Sequence, residues 1–428
     1  MTSRILTILL LLKLMLLDAQ DKKALLCGEV ITGNESFSLK NQIILIEDER
    51  ILAMGPDLAI PEDYLQIDLS AYTVLPGLID VHVHPLIYGD DYQVNHIKGS
   101  SAFNALRGLR TLREWLHEGW TTVRIAGDAD VEYAHLEIRK AIDSGWFQGP
   151  RIYGAGHYLS VTGGGGDINF LNPRQQVIPD GLIVDGADAV RKAVREEVKY
   201  GSDWIKLLVT GAFMSSGDNP QSVHFSDAEL AAAMDEANQR GIPVMAHAHS
   251  TEGIKKSILA GARSIEHGTF LDDEAIELFL KHGTFLVPTL AVGEYFLETA
   301  ADSDALSKAY QLHVKYKEPT EQMLSKAIAK GVKIGVGSDN VGFPPNFAAR
   351  EFEYLTHLGM TPMQSILAGT KVNAELLGKS SEIGTLEAGK FADIIATRNS
   401  PLKDINELTR VVFVMKGGEV IKNLPENQ

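Results

Sequence analysis

Eight short apolar runs, most of them separated by helical patterns, constrain this fold more than any other feature. They are VLPGLIDVHVH (74–84), TTVRIAG (121–127), RIYGAG (151–156) and DWIKLLVT (203–210), followed by IPVMAHA (242–248), SIEHG (264–268), TFLVPTL (284–290) and KIGVGSD (333–339). Each reads as a strand. DAVRKAVREEVKY and SDAELAAAMDEANQRG read as helices between them. Alternating β and α units predict a parallel sheet, and eight of them predict an α/β fold of the closed (β/α)8 TIM-barrel type. An open doubly wound sheet is the alternative. It lacks its usual mark, since no G-x-G-x-x-G follows a strand at the head of a βαβ unit. The glycine run Gly163–Gly166 sits instead in a long loop after the third strand.

The flanks read differently. LLCGEVITG (25–33) and NQIILIEDERILAMG (41–55) are strand-like with Gly- and Asn-rich turns. GTLEAGKFADIIATR (384–398) and VVFVMKGGEVIKN (411–423) repeat that character at the other end. The expectation is a small β-sandwich built from both termini, residues 21–75 and 385–428, around a central barrel at 76–384. Residues 1–20 read as a signal peptide. Arg4 precedes the apolar run 5–17, which is short for a membrane span, and polar DAQDKK follows. Cleavage would give an exported protein without stable membrane insertion. An uncleaved segment would leave it anchored or cytoplasmic. Cys27 is the single cysteine, which excludes an intrachain disulfide and a cysteine-based metal site. The net charge of −16, with no Lys/Arg cluster, argues against a nucleic-acid partner and leaves a small molecule as the expected one.

Six residues at strand ends carry the chemistry: His82, His84, Lys206, His247, His267 and Asp339. In a barrel, function gathers at the C-terminal ends of the strands. Strand side chains alternate, so His82 and His84 share a face. Nitrogen and oxygen donors converging from rigid elements suit metal-assisted hydrolysis. Each residue also has a plain structural reading. A buried histidine is usually a hydrogen-bonded core residue, Lys206 can sit on an edge strand, and Asp339 can cap a helix or shape a turn. All six in strand order favour the metal reading.

LPGLIDVHVH, IKLL, AHAHS, SIEHG and GVGSDN, taken in that order, resemble the amidohydrolase superfamily. The nearest branch is that of imidazolonepropionase-like hydrolases, metal-dependent Xaa-dipeptidases of the prolidase type and ochratoxin-type amidases. The resemblance covers nearly the whole chain beyond the leader, GTLEAGKFADIIA included. It implies two divalent metal ions, with Zn2+ expected. His82, His84 and Asp339 would hold the buried ion, and His247 and His267 the second. Lys206, carboxylated by CO2, would bridge them. A carbamate forms only on a neutral amine, which desolvation and nearby metal charge both favour. Two ions about 3.5–4 Å apart also lower the pKa of a shared water. Asp339 would take that water's proton and later give it to the leaving amine.

His249 shares a face with His247 and is expected to meet substrate or support a ligand. His157 and His224 lie just past strands and are candidate substrate contacts. Arg124 is a candidate for binding a substrate carboxylate. Related sequences often carry a histidine in the glycine run, where this chain has Gly163–Gly166. The implied activity is cleavage of an amide bond in a dipeptide or N-acyl amino acid, ochratoxin-type amides included, by a homo-oligomer. A lactonase, cyclic-amide hydrolase or phosphotriesterase would use the same site. An inactive binding protein is the alternative of another class.

Overall fold

The computed structural model describes residues 21–89, 91–215, 217–299 and 307–423. The expected leader, residues 1–20, lies outside them. Among the described residues no helix is long and apolar enough to cross a membrane.

Both termini contribute to one seven-stranded mixed sheet. Its strands are β1 (Lys22–Val30), β2 (Leu39–Glu47), β3 (Arg50–Gly55) and β4 (Leu65–Pro76), together with three C-terminal strands. β4 runs parallel to β1 and antiparallel to the C-terminal strand Ile394–Thr397. Leu25, Val30, Ile44, Ile46, Val74, Ile394, Phe413 and Met415 pack in a cluster of their own. A single shared sheet is what the pairing gives; the two-layered sandwich expected from the sequence is not shown.

β4 passes through Gly77 straight into β5 (Leu78–Val83). A side chain at Gly77 would collide with Thr121, so only glycine lets the two strands approach this closely. β5, β6 (Trp120–Ala126) and β7 (Arg151–Ala155) form one parallel sheet. β8 (Tyr158–Ser160), β9 (Leu182–Ile183), β10 (Ile205–Leu208), β11 (Val244–Ala248), β12 (Ser264–His267) and β13 (Phe285–Val287) form a second, in the order β13-β12-β11-β10-β8-β9. β10 to β13 are buried along their whole length, as strands covered on both faces are.

The class is α/β, but the ladders make two parallel sheets rather than one unbroken ring of eight strands. The third and eighth runs are the reason: the third is interrupted between β7, which pairs with β6, and β8, which pairs with β10, and the eighth is irregular. Gly335, Gly337 and the left-handed Asp339 (φ 51°) break its regular extension. It still bridges the sheets. Gly335 N donates to Leu286 O at 2.9 Å, and Val81 N donates to Val336 O at 3.0 Å.

Nine helices matter for the site: α1 (Tyr92–Lys98), α2 (Ser101–His117), α3 (Ala134–Asp143), α4 (Ala187–Tyr200), α5 (Asp227–Asn238), α6 (Thr251–Ala260), α7 (Asp273–His282), α8 (Leu290–Thr299) and α9 (Ser307–Lys330). Their starts follow sequence rules. Ser226 and Glu229 form a reciprocal capping box on α5, and Ser250 and Asp272 cap α6 and α7. α8 and α9 stand over the strand ends and roof a cavity.

Candidate metal centre

His82, His84, Lys206, His247, His267 and Asp339 all line that cavity, and His249 joins them. The donors fall into two groups, His82/His84/Asp339 and His247/His249/His267. Within each, ligand atoms lie within 4.8 Å of one another. Asp339 Oδ1 is 3.5 Å from His82 Nε2 and 3.3 Å from His84 Nε2. Lys206 Nζ is 3.5 Å from His82 Nε2. The rings of His247 and His267 stand 4.4 Å apart.

Each imidazole is aimed by its second nitrogen. His82 Nδ1 pairs with Glu266 Oε2 at 2.7 Å, and His84 Nδ1 with the Gly127 carbonyl at 2.6 Å. His247 Nε2 meets the Gly211 carbonyl at 3.2 Å, and His267 Nδ1 meets Thr289 Oγ1 at 2.7 Å. His249 Nδ1 meets Thr269 Oγ1 at 2.7 Å. Carboxylates and carbonyls can only accept, so the facing ring nitrogen carries the proton in three of these contacts. The other nitrogen then keeps its lone pair, which is how metal-binding histidines are held.

Electrostatics point the same way. Burial pushes His82 down to about 4, with the charge of Lys206 adding to it. Burial takes His247 and His267 well below their ordinary value. All three imidazoles are neutral at pH 7, the form that binds cations. Burial pulls the Lys206 amine down to about 8. Burial also opposes the charge of Asp339, but His82, His84 and Lys206 outweigh it and hold the carboxyl below its usual range. His267 (φ 69°), Thr289 (φ 52°) and Asp339 (φ 51°) are three of six non-glycine residues at positive φ among the described residues. Strain of this kind gathers where geometry matters more than stability.

Three expected contacts do not line the cavity. Arg124 is buried beneath it. Its Nε donates to Val81 O at 2.6 Å, and its terminal nitrogens donate to Ser264 Oγ at 3.0 Å and to both Glu266 oxygens at 2.9 and 3.0 Å. The guanidinium also lies over Trp204. Its partner here is the carboxylate that aims His82. His157 is tied to Glu197 at 2.9 Å and packed on Tyr133. His224 Nε2 pairs with Asp218 at 3.2 Å.

Sequence reasoning missed Glu266, Thr289, Phe213, Tyr158 and His313. Glu266 had a findable signal. A carboxylate and an arginine, each inside an apolar strand, are natural partners when both must be buried. Phe213 and His313 come from a loop and from α9, and nothing local marks them.

The amidohydrolase family profile matches residues 73–421. Ochratoxinase of Aspergillus niger is 34% identical over 426 residues, covering 92% of this chain and 85% of the relative. The crystal structure of a Xaa-Pro dipeptidase with bound methionine in its active site superposes with a TM-score of 0.86 at 34% identity, covering 93% of this chain and 99% of that one. The structure of A. niger ochratoxinase superposes with a TM-score of 0.82 at 30% identity, covering 96% and 97%. The protein belongs to the amidohydrolase family. It is a hydrolase acting on C–N bonds, and amide hydrolysis is the reaction its relatives support.

Proposed function

We propose that this enzyme is a binuclear, metal-dependent hydrolase of an amide bond in a small dipeptide or N-acyl amino acid, with the two sheets and the 333–340 segment acting as one barrel around the site. The carrying observation is that His82, His84, His247 and His267 each have one ring nitrogen tied outward and one left facing the shared cavity. His82, His84 and Asp339 would hold one divalent ion, and His247 and His267 the other. Zn2+ suits this nitrogen-rich, cysteine-free donor set. Lys206 is buried with an imidazole as its hydrogen-bond partner and an amine drawn towards neutrality. Carboxylation would turn it into an anionic bridge with two oxygens. When bound, the ions would polarise the scissile carbonyl and acidify a water. Asp339, anionic and beside both His82 and His84, takes the proton at its free oxygen and returns it to the leaving nitrogen.

The experiment is a metal count on purified protein joined to a panel of N-acyl amino acids and dipeptides. About two zinc per chain with amide cleavage is the expected result. Metal-free protein, or cleavage of lactones alone, would overturn it.

A further inference from the structure

Above the histidine floor the cavity wall changes character. Phe213, just past β10, stacks on His249 with ring centroids 4.4 Å apart and meets His313 of α9 at 5.0 Å. Phe296 of α8 stands 5.8 Å from His313 on its other side. Tyr316, three residues along α9, is 6.3 Å from Phe213. All four rings line the cavity. Burial pushes His313 down to about 4, so its ring is neutral at pH 7 and acts as a flat, weakly polar surface. Gly293 admits that ring. A Cβ there would come within 2.8 Å of His313 Nδ1. The charged groups at this end are engaged with one another, because Lys317 pairs with both Glu294 and Glu321. Among the described residues the chamber therefore offers aromatic faces, with the charges at this end drawn into one cluster of Lys317, Glu294 and Glu321.

From this wall we infer that the enzyme selects amides carrying an aromatic ring, held against the cavity face of Phe213, Phe296, His313 and Tyr316 while the amide lies over the histidines. Aromatic groups prefer offset or edge-to-face contacts with other rings, beyond the gain from buried area. A lysine or glutamate side chain would lose its hydration in this chamber and could regain an ionic partner only by breaking into that cluster. The inference rests on the amide-hydrolase reading and narrows its substrate class.

The test has two arms, both on metal-loaded full-length protein. In the first, kcat/KM is measured for N-acetyl derivatives of phenylalanine, alanine, lysine and glutamate. The phenylalanine derivative should exceed each of the others by about tenfold or more, the scale of a well-packed apolar contact. Phe213→Ala and Gly293→Ala should each collapse that ratio towards one. Phe213→Leu keeps the apolar volume but loses the ring, and guards against a misfolded alanine variant. In the second arm, calorimetric titration compares free phenylalanine with free alanine. Phenylalanine should bind about tenfold more tightly to the wild type, and that margin should vanish in Phe213→Leu. If no amide is cleaved, the amide reading fails on its own, and the titration still decides the chamber. Equal turnover across the panel, or equal binding of the two amino acids, overturns the inference.

Discussion

Two buried histidine–glutamate pairs flank the strand ends, and only one of them builds the candidate centre. His82 pairs with Glu266 at 2.7 Å, and His157 pairs with Glu197 at 2.9 Å. All four side chains are buried. The carboxylates are backed differently. Glu266 is held by Arg124, which reaches it from β6 of the other sheet, and by Ser264, two residues earlier on its own strand β12. Burial disfavours its charge, but the Arg124 guanidinium overrides that and keeps it ionised. Glu197 projects from α4 and is held by the backbone N–H groups of Gly156 and His157, with Ser202. The imidazoles also end differently. His82 turns its second nitrogen towards Lys206 and Asp339, whereas His157 sits edge-on to Tyr133 with ring centroids 4.3 Å apart. One pair orients a proposed metal ligand. The other fastens α4 to the junction between β7 and β8. A buried histidine with a carboxylate partner is thus no sign of a site by itself; the destination of the other nitrogen decides.

The comparison breaks most sharply at the cavity floor. Asp339→Asn keeps the shape and removes the charge and the basic oxygen. Turnover should fall by about 10²–10⁴-fold, the usual range for a lost general base, with a small change in melting temperature. Equal loss of stability and turnover would make Asp339 a structural residue. Lys206→Ala should remove most activity by deleting the proposed bridge. Partial return of turnover with added short carboxylic acids would support the carbamate, and undiminished turnover in the variant would dismiss it.

Glu266→Gln sharpens the contrast one layer down. The variant leaves Arg124 charged and unpaired in the core and frees His82 to rotate. Metal affinity should fall by about 10–100-fold, and unfolding free energy by roughly 3–5 kcal/mol. Metal titration and denaturant unfolding read the two effects separately. Loss of stability with intact affinity would show that Glu266 does not orient His82.

This division was only partly legible in the sequence. Period and order announced the strands, because apolar runs buried on both faces leave a continuous signature. The strand-end positions of His82, His84, Lys206, His247, His267 and Asp339 point to one shared mouth, and all six line one cavity. Arg124 was misread. An arginine in an apolar strand reports that a charge must be paired, without saying with what, and its partner Glu266 lies 142 residues away. His157 and His224 looked like rim residues because they follow strands, yet Glu197 and Asp218 draw them aside. Nothing in the sequence around His313 marks it. Its place in the chamber depends on α9 folding over the mouth and on Gly293 making room, and neither is a local property.

The smallest expected effect lies at the second pair, and it completes the contrast. Glu197 receives Gly156 N–H at 2.8 Å, His157 N–H at 3.1 Å, Ser202 Oγ at 2.6 Å and His157 Nδ1 at 2.9 Å. Glu197→Gln keeps an oxygen for the Gly156, His157 and Ser202 donors only by turning its NH2 group to His157 Nδ1, which must then give up its proton and accept, and the remaining bonds lose their charge assistance. The expected cost is roughly 2–3 kcal/mol, the scale of a lost hydrogen bond to a buried charged acceptor. Metal content should stay at the wild-type value, since His157 does not line the cavity. Denaturant unfolding and a metal count on the same sample decide the matter. A drop in bound metal would mean that the β7–β8 junction transmits position to the centre, and the two pairs would then differ in degree rather than in kind.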